Sequence, residues 1–225
     1  MLIDFHSHIL PAADHGSDDL ETSLKQVELA GKAGMKAVVA TPHFYPRYED
    51  VGSFLRRREE TAKRLREALP QNAPRILIGG EIQLCQNLER MPELDLLCIE
   101  GTNVLLLELP RSFSIRHYEQ TLEPLLYERK LKVVLAHIDR YRASAIDLLL
   151  DMGFYGQLNV SSFRRLRTRR LATDWGRSGS VVALGSDMHG AEIGYKDFPR
   201  AEKCLKGDYV RIMNRAAALL GLEKT

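Results

Sequence analysis

Seven short apolar runs recur along the chain, and segments with the spacing of amphipathic helices separate them. The runs are apolar at nearly every position, whereas a strand with one face in water would alternate apolar and polar residues. Such strands, alternating with helices, are typical of a parallel sheet that is covered on both faces. The predicted strands cover residues 2–6, 36–41, 75–81, 103–108, 132–137, 156–160 and 180–185. Seven strand–helix units favour a β/α barrel over an open sheet.

The helices between these strands have recognisable boundaries. The segment Ser17-Asp18-Asp19, followed by Glu21, predicts the start of the first helix, because its acidic side chains are favourable at a helix N-terminus. Further helices are predicted over about 52–69, 115–129 and 143–152, and two short helices close the chain. Ser161 or Ser162 is predicted to cap the helix that follows the sixth strand.

The composition is that of an ordinary soluble globular protein, with 44% hydrophobic and 28% charged residues. A formal net charge of +2 is too small to imply non-specific electrostatic binding to nucleic acid or to a membrane. No apolar run reaches membrane-spanning length, and residues 1–12 lack the features of a signal peptide. We therefore expect a cytoplasmic protein without a transmembrane segment or a nucleic-acid partner. Because no linker, repeat or low-complexity stretch divides the chain, residues 1–225 are expected to form one domain.

The three cysteines, Cys85, Cys98 and Cys204, are far apart and odd in number. This spacing argues against a disulfide framework and against a Cys-x-x-Cys metal or redox site. A cysteine-dependent phosphatase would need an arginine six residues after its nucleophile, and none of the three cysteines has one. We expect all three to be buried, inert thiols.

Histidines and carboxylates follow most of the predicted strands, at or just past the C-terminal end of each. These residues are His8, His43, Glu81, Glu108, His137 and Asp187. In a β/α barrel those ends converge on one mouth, where active sites are built. His6 and His8 lie two positions apart in the first strand, so their imidazoles project from the same face.

The mouth would thus collect nine nitrogen or oxygen ligands. They are His6, His8, His43, His137 and His189 together with Asp14, Glu81, Glu108 and Asp187. Nine ligands are too many for one tetrahedral zinc and suit two or three ions that share a bridging carboxylate. The absence of thiolate favours manganese, iron or zinc, without deciding among them. Any one of these residues alone is more often an ordinary core or surface group, but charges buried together at one mouth are costly unless they bind something.

Two histidines fit no strand end. His15 and His117 are interpreted as ordinary exposed residues.

Seven motifs occur in an order that resembles a known family. They are His-Ser-His-Ile-Leu-Pro (6–11), Asp14-x-Gly-Ser, Ala-Thr-Pro-His (40–43), Gly-Gly-Glu-Ile (79–82), Leu-Glu-Leu-Pro (107–110), Ala-His-x-x-Arg-Tyr (136–141) and Gly-Ser-Asp-Met-His (185–189). With them the chain resembles the bacterial manganese-dependent tyrosine phosphatases of the polymerase and histidinol phosphatase (PHP) superfamily, which act in capsule and exopolysaccharide production. The resemblance covers nearly the whole chain. It implies an α/β fold, a single distorted (β/α)7 TIM-like barrel that carries three Mn²⁺ ions at the C-terminal ends of its strands.

The resemblance also implies a ligand set for each ion. His6, His8, Glu81 and Asp187 should hold the first. Glu81 should bridge to a second ion, which Glu108 and His137 complete. Asp14, His43 and His189 should hold the third. Arg140 matches the family arginine that contacts the phosphoryl group.

The chemistry of such a cluster agrees with this assignment. Clustered cations lower the pKa of a bound water toward neutrality and so supply hydroxide as a nucleophile. The ions and Arg140 would neutralise the phosphoryl oxygens in the transition state, and a planar guanidinium can grip two oxygens at once. We therefore predict in-line attack by metal-bound hydroxide, with no phosphoenzyme and no cysteine nucleophile.

The leading hypothesis is a metal-dependent phosphatase that acts on phosphotyrosine, in the tail of a capsule-associated tyrosine kinase. The alternatives are a small-molecule phosphatase of the histidinol-phosphate type, a phosphodiesterase on the same barrel, and a catalytically silent binding module. The wording of the motifs His-Ile-Leu-Pro and Asp-x-Gly-Ser favours the first hypothesis over the small-molecule enzyme. The complete ligand set argues against a silent module, because an idle site is free to lose its costly charges.

The chain departs from the family pattern in two places. Family members often carry an arginine shortly after Asp-x-His, but residues 190–196 contain none. Lys196 could substitute in part, as a point charge without the bidentate fork. After the sixth strand the family usually has a glycine-rich helix start, whereas residues 163–170 contain five arginines. Such a charge run is most often a solvated face; the alternative is that it attracts acidic phosphotyrosine tails or an anionic membrane surface.

Overall fold

The computed structural model describes residues 1–190 and 195–222. Strands and helices alternate along it, as the apolar runs predict. The strands are β1 (Ile3–Ser7), β2 (Ala37–Ala40), β3 (His43–Phe44), β4 (Arg75–Ile78), β5 (Glu81–Gln83), β6 (Val104–Glu108), β7 (Lys132–Leu135), β8 (Tyr155–Asn159) and β9 (Val181–Gly185). The helices are α1 (Leu20–Lys32), α2 (Val51–Ala68), α3 (Ile115–Tyr127), α4 (Ala143–Asp151), α5 (Leu166–Ser178), α6 (Phe198–Leu205) and α7 (Gly207–Leu219).

The predicted strand over 75–81 is broken in two, and a short strand that was not predicted follows the one over 36–41. Thr41 and Pro42 separate β2 from β3, and proline cannot donate to a sheet ladder. Gly79 and Gly80 separate β4 from β5, where a side chain at Gly80 would come within 2.9 Å of Phe54. The interruptions turn seven predicted strands into nine, and they let the chain bend just before His43 and Glu81.

All strand pairs in the two sheets are parallel. One sheet has the order β1-β2-β4, and the other has the order β3-β5-β6-β7-β8-β9. The chain passes from the first sheet to the second twice, from β2 into β3 and from β4 into β5. On the opposite side β1 lies beside β9, where the Asp187 amide donates to the His6 carbonyl (2.8 Å) and the His8 amide to the Met188 carbonyl (3.2 Å). The strands thus follow one another around a distorted β/α barrel, which confirms the predicted fold class, although no regular ladder joins β1 to β9 within the described residues.

The strands are buried on both faces, so the hydrophobic core lies inside the ring and beneath the helices. Ile3, Val38, Leu105 and Val133, on four different strands, are fully buried. Among the described residues no helix has both the length and the apolar character needed to cross a membrane. Residues 223–225 of the expected domain, and residues 191–194 of the stretch that lacks the family arginine, lie outside the described residues.

One predicted helix cap is wrong. Residues 160–164 form a 3₁₀ turn before α5, and Arg165 occupies the N-cap position of that helix. The Ser162 hydroxyl donates to the Asn159 carbonyl at 2.7 Å and so caps nothing in α5. The first helix, by contrast, is capped within the predicted segment, because the Asp19 carboxylate accepts from the Thr22 amide.

Candidate metal centre

The Glu81 carboxylate lies at the centre of four imidazoles, at the start of β5. Its Oε2 is 3.1 Å from His6 Nε2, 3.3 Å from His8 Nε2 and 3.1 Å from His43 Nδ1. Its Oε1 is 2.7 Å from His137 Nε2. Burial alone would raise the pKa of Glu81, but the surrounding imidazoles lower it well below its ordinary value. The two oxygens of the ionised Glu81 carboxylate face different imidazoles, so each oxygen can bind a separate cation. Glu81 is therefore suited to bridge two cations.

Asp187, just past the end of β9, turns its two oxygens to different partners. Oδ1 lies 3.3 Å from His8 Nε2 and 3.6 Å from His6 Nε2. Oδ2 accepts from the Asn159 amide group at 2.9 Å and from the Arg140 guanidinium. One oxygen is therefore fixed by the protein while the other faces the histidines.

The backbone at two of the predicted ligands is left-handed. His137 has φ of 32° and Asp187 has φ of 50°, in a region that residues with a side chain rarely adopt. Conformations of this kind cost free energy and are concentrated at functional sites. Here they turn side chains at the ends of β7 and β9 into the mouth.

Donor atoms of the predicted ligands form three overlapping groups in which all atoms lie within 4.8 Å of one another. The groups are His6, His8, Glu81 and Asp187; His43, Glu81 and Glu108; and His8, His43 and His189. The first group coincides with the predicted set for one ion. The second contains His43 where the prediction had His137, and the third contains His8 where the prediction had Asp14.

Asp14 contacts the cluster through hydrogen bonds. Its Oδ2 lies 2.7 Å from His8 Nδ1 and accepts from the His43 amide at 2.9 Å, while Oδ1 accepts from the Gly16 amide. A carboxylate on Nδ1 directs the other ring nitrogen of a histidine toward a metal. In this geometry Asp14 orients His8, and its direct role at a third ion remains a prediction.

The donor set fits divalent cations. Four buried atoms of the cluster have no hydrogen-bond partner among the described residues: His43 Nδ1, Glu108 Oε2, His137 Nδ1 and His189 Nε2. Buried polar atoms are normally satisfied, so these four mark groups prepared for another ligand. Burial lowers the pKa of His43 to about 3 and also lowers the pKa of His189, which keeps both rings in the neutral, metal-binding form. Nitrogen and oxygen donors without sulfur fit manganese, iron or zinc.

Two buried amides that were not predicted support the cluster. Gln157 Oε1 accepts from the His137 amide at 2.6 Å and lies 3.2 Å from His6 Nδ1. Its Nε2 donates to Asn159 Oδ1 at 3.0 Å, and Asn159 in turn donates to Asp187. The signal was present in the sequence, because Gln157 and Asn159 are polar, two apart, and therefore on one face of an otherwise buried strand.

The two remaining histidines are exposed, as predicted, but they differ in position. The ring of His15 stacks on His43 with centroids 4.9 Å apart and lies 4.6 Å from the ring of His189. His15 therefore covers the edge of the cluster. His117 instead lies 3.1 Å from the Gln86 side chain and edge-on to the ring of Tyr118.

A cleft of about 600 Å³ opens beside the cluster. Its lining includes Tyr45, Glu108, Arg111, His137, Arg140 and Tyr141. The Tyr45 ring stacks on His43 at 5.0 Å, and the Tyr141 hydroxyl donates to the Leu109 carbonyl at 2.8 Å. The side chain of Arg140 is 51% exposed. The cleft is thus lined by two aromatic rings, by the guanidinium groups of Arg111 and Arg140, and by the Glu108 carboxylate and the His137 imidazole of the cluster.

The three cysteines are free thiols. Cys98 is buried, whereas Cys85 and Cys204 are half-buried, so the expectation that all three are buried is only partly met. Burial raises the pKa of Cys98 to about 12 and raises that of Cys85 as well. A raised pKa disfavours the thiolate that a cysteine phosphatase would require.

Comparison with known proteins connects this geometry to a family. Residues 2–216 match the family model described as capsular polysaccharide synthesis, CpsB/CapC. Over 182 residues the chain is 32% identical to the tyrosine-protein phosphatase YwqE of Bacillus subtilis (strain 168), covering 76% of this chain and 69% of that protein. Over 228 residues it is 26% identical to the tyrosine-protein phosphatase CpsB of Streptococcus agalactiae serotype V, covering 92% and 91%.

The fold has a close counterpart among solved structures. A crystal structure from work on YwqE of Bacillus subtilis and CpsB of Streptococcus pneumoniae, described there as unique metal-dependent tyrosine phosphatases, matches with a TM-score of 0.81. The match covers 99% of this chain and 96% of that one at 23% identity. At that identity the likeness bears on the fold alone.

Proposed function

The chain belongs to the CpsB/CapC family of capsular polysaccharide synthesis, and from this we propose that it is a metal-dependent phosphatase that hydrolyses phosphotyrosine. The observation that carries the proposal is the buried Glu81 carboxylate, which four imidazoles surround at the mouth of the barrel. The relatives named above as tyrosine-protein phosphatases support the choice of substrate class.

The proposed resident metal is a cluster of three Mn²⁺ ions. We assign as its ligands His6, His8, Asp14, His43, Glu81, Glu108, His137, Asp187 and His189. When bound, such ions would act as Lewis acids toward the phosphoryl group and would lower the pKa of a coordinated water. The mixture of imidazole and carboxylate donors supports manganese and is also compatible with iron or zinc.

The side chains of the mouth cleft would bind and orient the substrate. Arg140 is held against Asp187 at the edge of the cluster, from which its guanidinium can donate two hydrogen bonds to phosphoryl oxygens. Tyr45 and Tyr141 form walls for the phenyl ring of phosphotyrosine. Burial, followed by the nearby carboxylates Glu108 and Glu81, keeps the pKa of both tyrosines above its ordinary value. Both phenols therefore stay neutral and do not repel the dianionic phosphate.

We propose further that the protein acts as one domain in the cytoplasm, and that its physiological substrate is the phosphotyrosine tail of a capsule-associated kinase. The family's link to capsular polysaccharide synthesis supports this partner. Within residues 164–170 the exposed arginines Arg165, Arg167 and Arg170 offer a basic surface for an acidic tail or for peripheral contact near a membrane.

The decisive experiment compares substrates after the metal content has been controlled. The protein is stripped with chelator and supplied with Mn²⁺, Fe²⁺ or Zn²⁺, and the hydrolysis of a phosphotyrosine peptide, histidinol phosphate and a phosphodiester is measured. We expect activity to vanish on chelation, to return best with Mn²⁺ and to favour the peptide. Full activity after chelation, or preference for either other substrate, would overturn the proposal. Glu81→Gln should be inactive with every ion, whereas Glu60→Gln, at an exposed position of α2, should behave as wild type.

A further inference from the structure

Arg58, on α2, is a buried arginine that faces no carboxylate within 4.0 Å among the described residues. It is only 8% exposed, and its guanidinium carbon lies 5.5 Å above the Phe54 ring. Its hydrogen bonding consists of one long contact, from Nη1 to the Gly79 carbonyl at 3.4 Å, and its Nε has no partner in the described structure. A buried cation is costly without a counter-ion and satisfied donors. Burial accordingly lowers the pKa of Arg58.

Arg58 lines a cleft of about 680 Å³ between α2 and residues 95–102. The cleft lies where the two sheets part. There the Glu100 amide donates to the Ile78 carbonyl and the Ile99 amide to the Val104 carbonyl, both at 2.8 Å, so that a loop fills the gap between β4 and β6. Apolar side chains face this space, and one of them, Leu96, is 53% exposed at the rim.

The other charges of the cleft have partners. Glu100 pairs with Arg66 at 2.6 Å, Asp95 with Arg129 at 3.1 Å and Glu67 with Lys63 at 3.9 Å. The one remaining carboxylate of the lining, Glu59, is exposed to solvent. The interior of the cleft therefore presents a buried arginine beside apolar side chains, and the carboxylates of Glu59 and Glu100 act on it only from beyond ion-pair distance.

We propose that this cleft binds a small amphipathic anion, whose carboxylate or phosphonate-like headgroup pairs with Arg58 and whose apolar body covers Ala62, Leu96 and Ile99. The volume is that of an ordinary small-molecule site, and such sites combine apolar surface with a few polar groups that fix the orientation of the ligand. Here Ala62, Leu96 and Ile99 supply the apolar surface and Arg58 the charge, while the other charged residues of the lining are paired or exposed to solvent. The binding site does not depend on the phosphatase activity proposed above, whereas the effect of a bound ligand on hydrolysis rests on that activity.

The cleft is in direct contact with the turn that places Glu81. Arg58 donates to the Gly79 carbonyl, and a side chain at Gly79 would come within 3.0 Å of Ile99. Gly79 and Gly80 lead directly into Glu81. An anion that draws the guanidinium away from Gly79 acts on this turn, so the bound ligand changes the rate of phosphate-ester hydrolysis at the mouth.

The test measures binding of three probes that share one apolar body: 4-phenylbutyrate, 4-phenylbutylphosphonate and 4-phenylbutylamine. Titration calorimetry and thermal unfolding of the full chain need no substrate and so are independent of the proposed activity. Both anions should bind and raise the Tm, and the amine should do neither. If the phosphonate alone binds, and binds equally to Arg58→Met, it occupies the mouth instead and the proposal fails.

Variants separate the cleft from the rest of the surface. Arg58→Met should weaken 4-phenylbutyrate about tenfold or more, the effect of losing one charge-assisted contact, and Arg58→Lys should recover part of the loss. Leu96→Asp, at an exposed position that tolerates substitution, should weaken it as well. Arg64→Met, an exposed arginine of α2 outside the cleft, is the matched control and should bind as wild type. Equal affinity in Arg58→Met and wild type would refute the site, and binding without any change in hydrolysis rate would refute the coupling to Glu81.

Discussion

Gln157 provides the sharpest test of how the metal centre is held, because it is not a proposed ligand itself. The backbone amide of His137 can only donate, so the atom 2.6 Å from it must be the Gln157 oxygen. The same oxygen faces His6 Nδ1 at 3.2 Å, which leaves the lone pair of His6 Nε2 directed at the cluster when the ring is neutral. Gln157→Leu keeps the size of the side chain and removes this acceptor. Two buried N–H groups are then unsatisfied, and at about 1–3 kcal/mol each the free energy of unfolding should fall by roughly 2–6 kcal/mol.

The diagnostic measurement is the Mn²⁺ concentration that gives half-maximal activity. It should rise by roughly 10–100-fold in Gln157→Leu, the usual effect of losing a hydrogen bond to a metal-binding histidine, and kcat should recover at saturating Mn²⁺. Thr121→Val on α3 is the control, since it also removes a buried acceptor, that of the Asn87 amide. It should lower stability and leave the Mn²⁺ dependence unchanged. A folded Gln157→Leu protein with the wild-type Mn²⁺ dependence would show that this amide does not position the cluster.

Three further outcomes follow from the same geometry. Arg140→Ala should lower kcat by about 10²–10³-fold at saturating Mn²⁺, and Arg140→Lys should recover only part of the loss. A change in KM without a change in kcat would argue against contact between Arg140 and the phosphoryl group in the transition state. Tyr45→Ala should raise KM roughly tenfold for aryl phosphates through loss of a ring contact, and an equal rise for glycerol phosphate would show that this ring does not read the phenyl group. Iodoacetamide at pH 8 should leave activity intact, since none of the three cysteines lines the cleft beside the cluster and burial raises the pKa of Cys98 and Cys85. Inactivation that tracks modification of one cysteine would contradict a mechanism without a thiol nucleophile.

The sequence predicted the strand ends well because the periodicity of a buried parallel strand is local information. A histidine or carboxylate marked the end of most apolar runs in the sequence. Because the strand ends of a barrel converge on one mouth, the fold class alone was enough to predict that His6, Glu81 and Asp187 come together. Contacts around Asp14 and His43 were less predictable. Asp14 lies in the connection between β1 and α1, and His43 begins the two-residue strand β3. Their partners depend on how the chain turns after Pro42, which no local pattern specifies.

Arg58 shows a different limit. With its neighbours Phe54 and Leu65 it falls on the buried face of α2, at helical spacing. Because α2 is rich in arginine and glutamate, the sequence did not distinguish Arg58 from the exposed charged residues of the same helix. Only the packing of residues 95–102 against α2 makes it an interior cation, and that packing is tertiary.

The basic stretch before and within α5 begins at the mouth of the barrel. Asn159, at the end of β8, donates to Asp187, and the 3₁₀ turn that follows leads directly into α5. Arg164 is already bound to Asp197 at 2.6 Å, so it is not available to attract a substrate. Arg165, Arg167 and Arg170 are exposed, and they form the part of the stretch that can act on an approaching peptide.

Neutralising these three arginines together, as Arg165→Gln, Arg167→Gln and Arg170→Gln, should reduce kcat/KM for an acidic phosphotyrosine peptide. Electrostatic steering raises association rates by about 10–10³-fold, and a loss of roughly tenfold is expected at low ionic strength. The difference should vanish at high salt, where the Debye length falls to about 3 Å at 1 M. The matched control replaces three exposed arginines elsewhere, Arg56, Arg64 and Arg75, by glutamine, so that net charge changes equally. If both triple variants lose activity to the same extent, only net charge matters; if neither does, the arginines of α5 are a solvated face and the partner reads another surface.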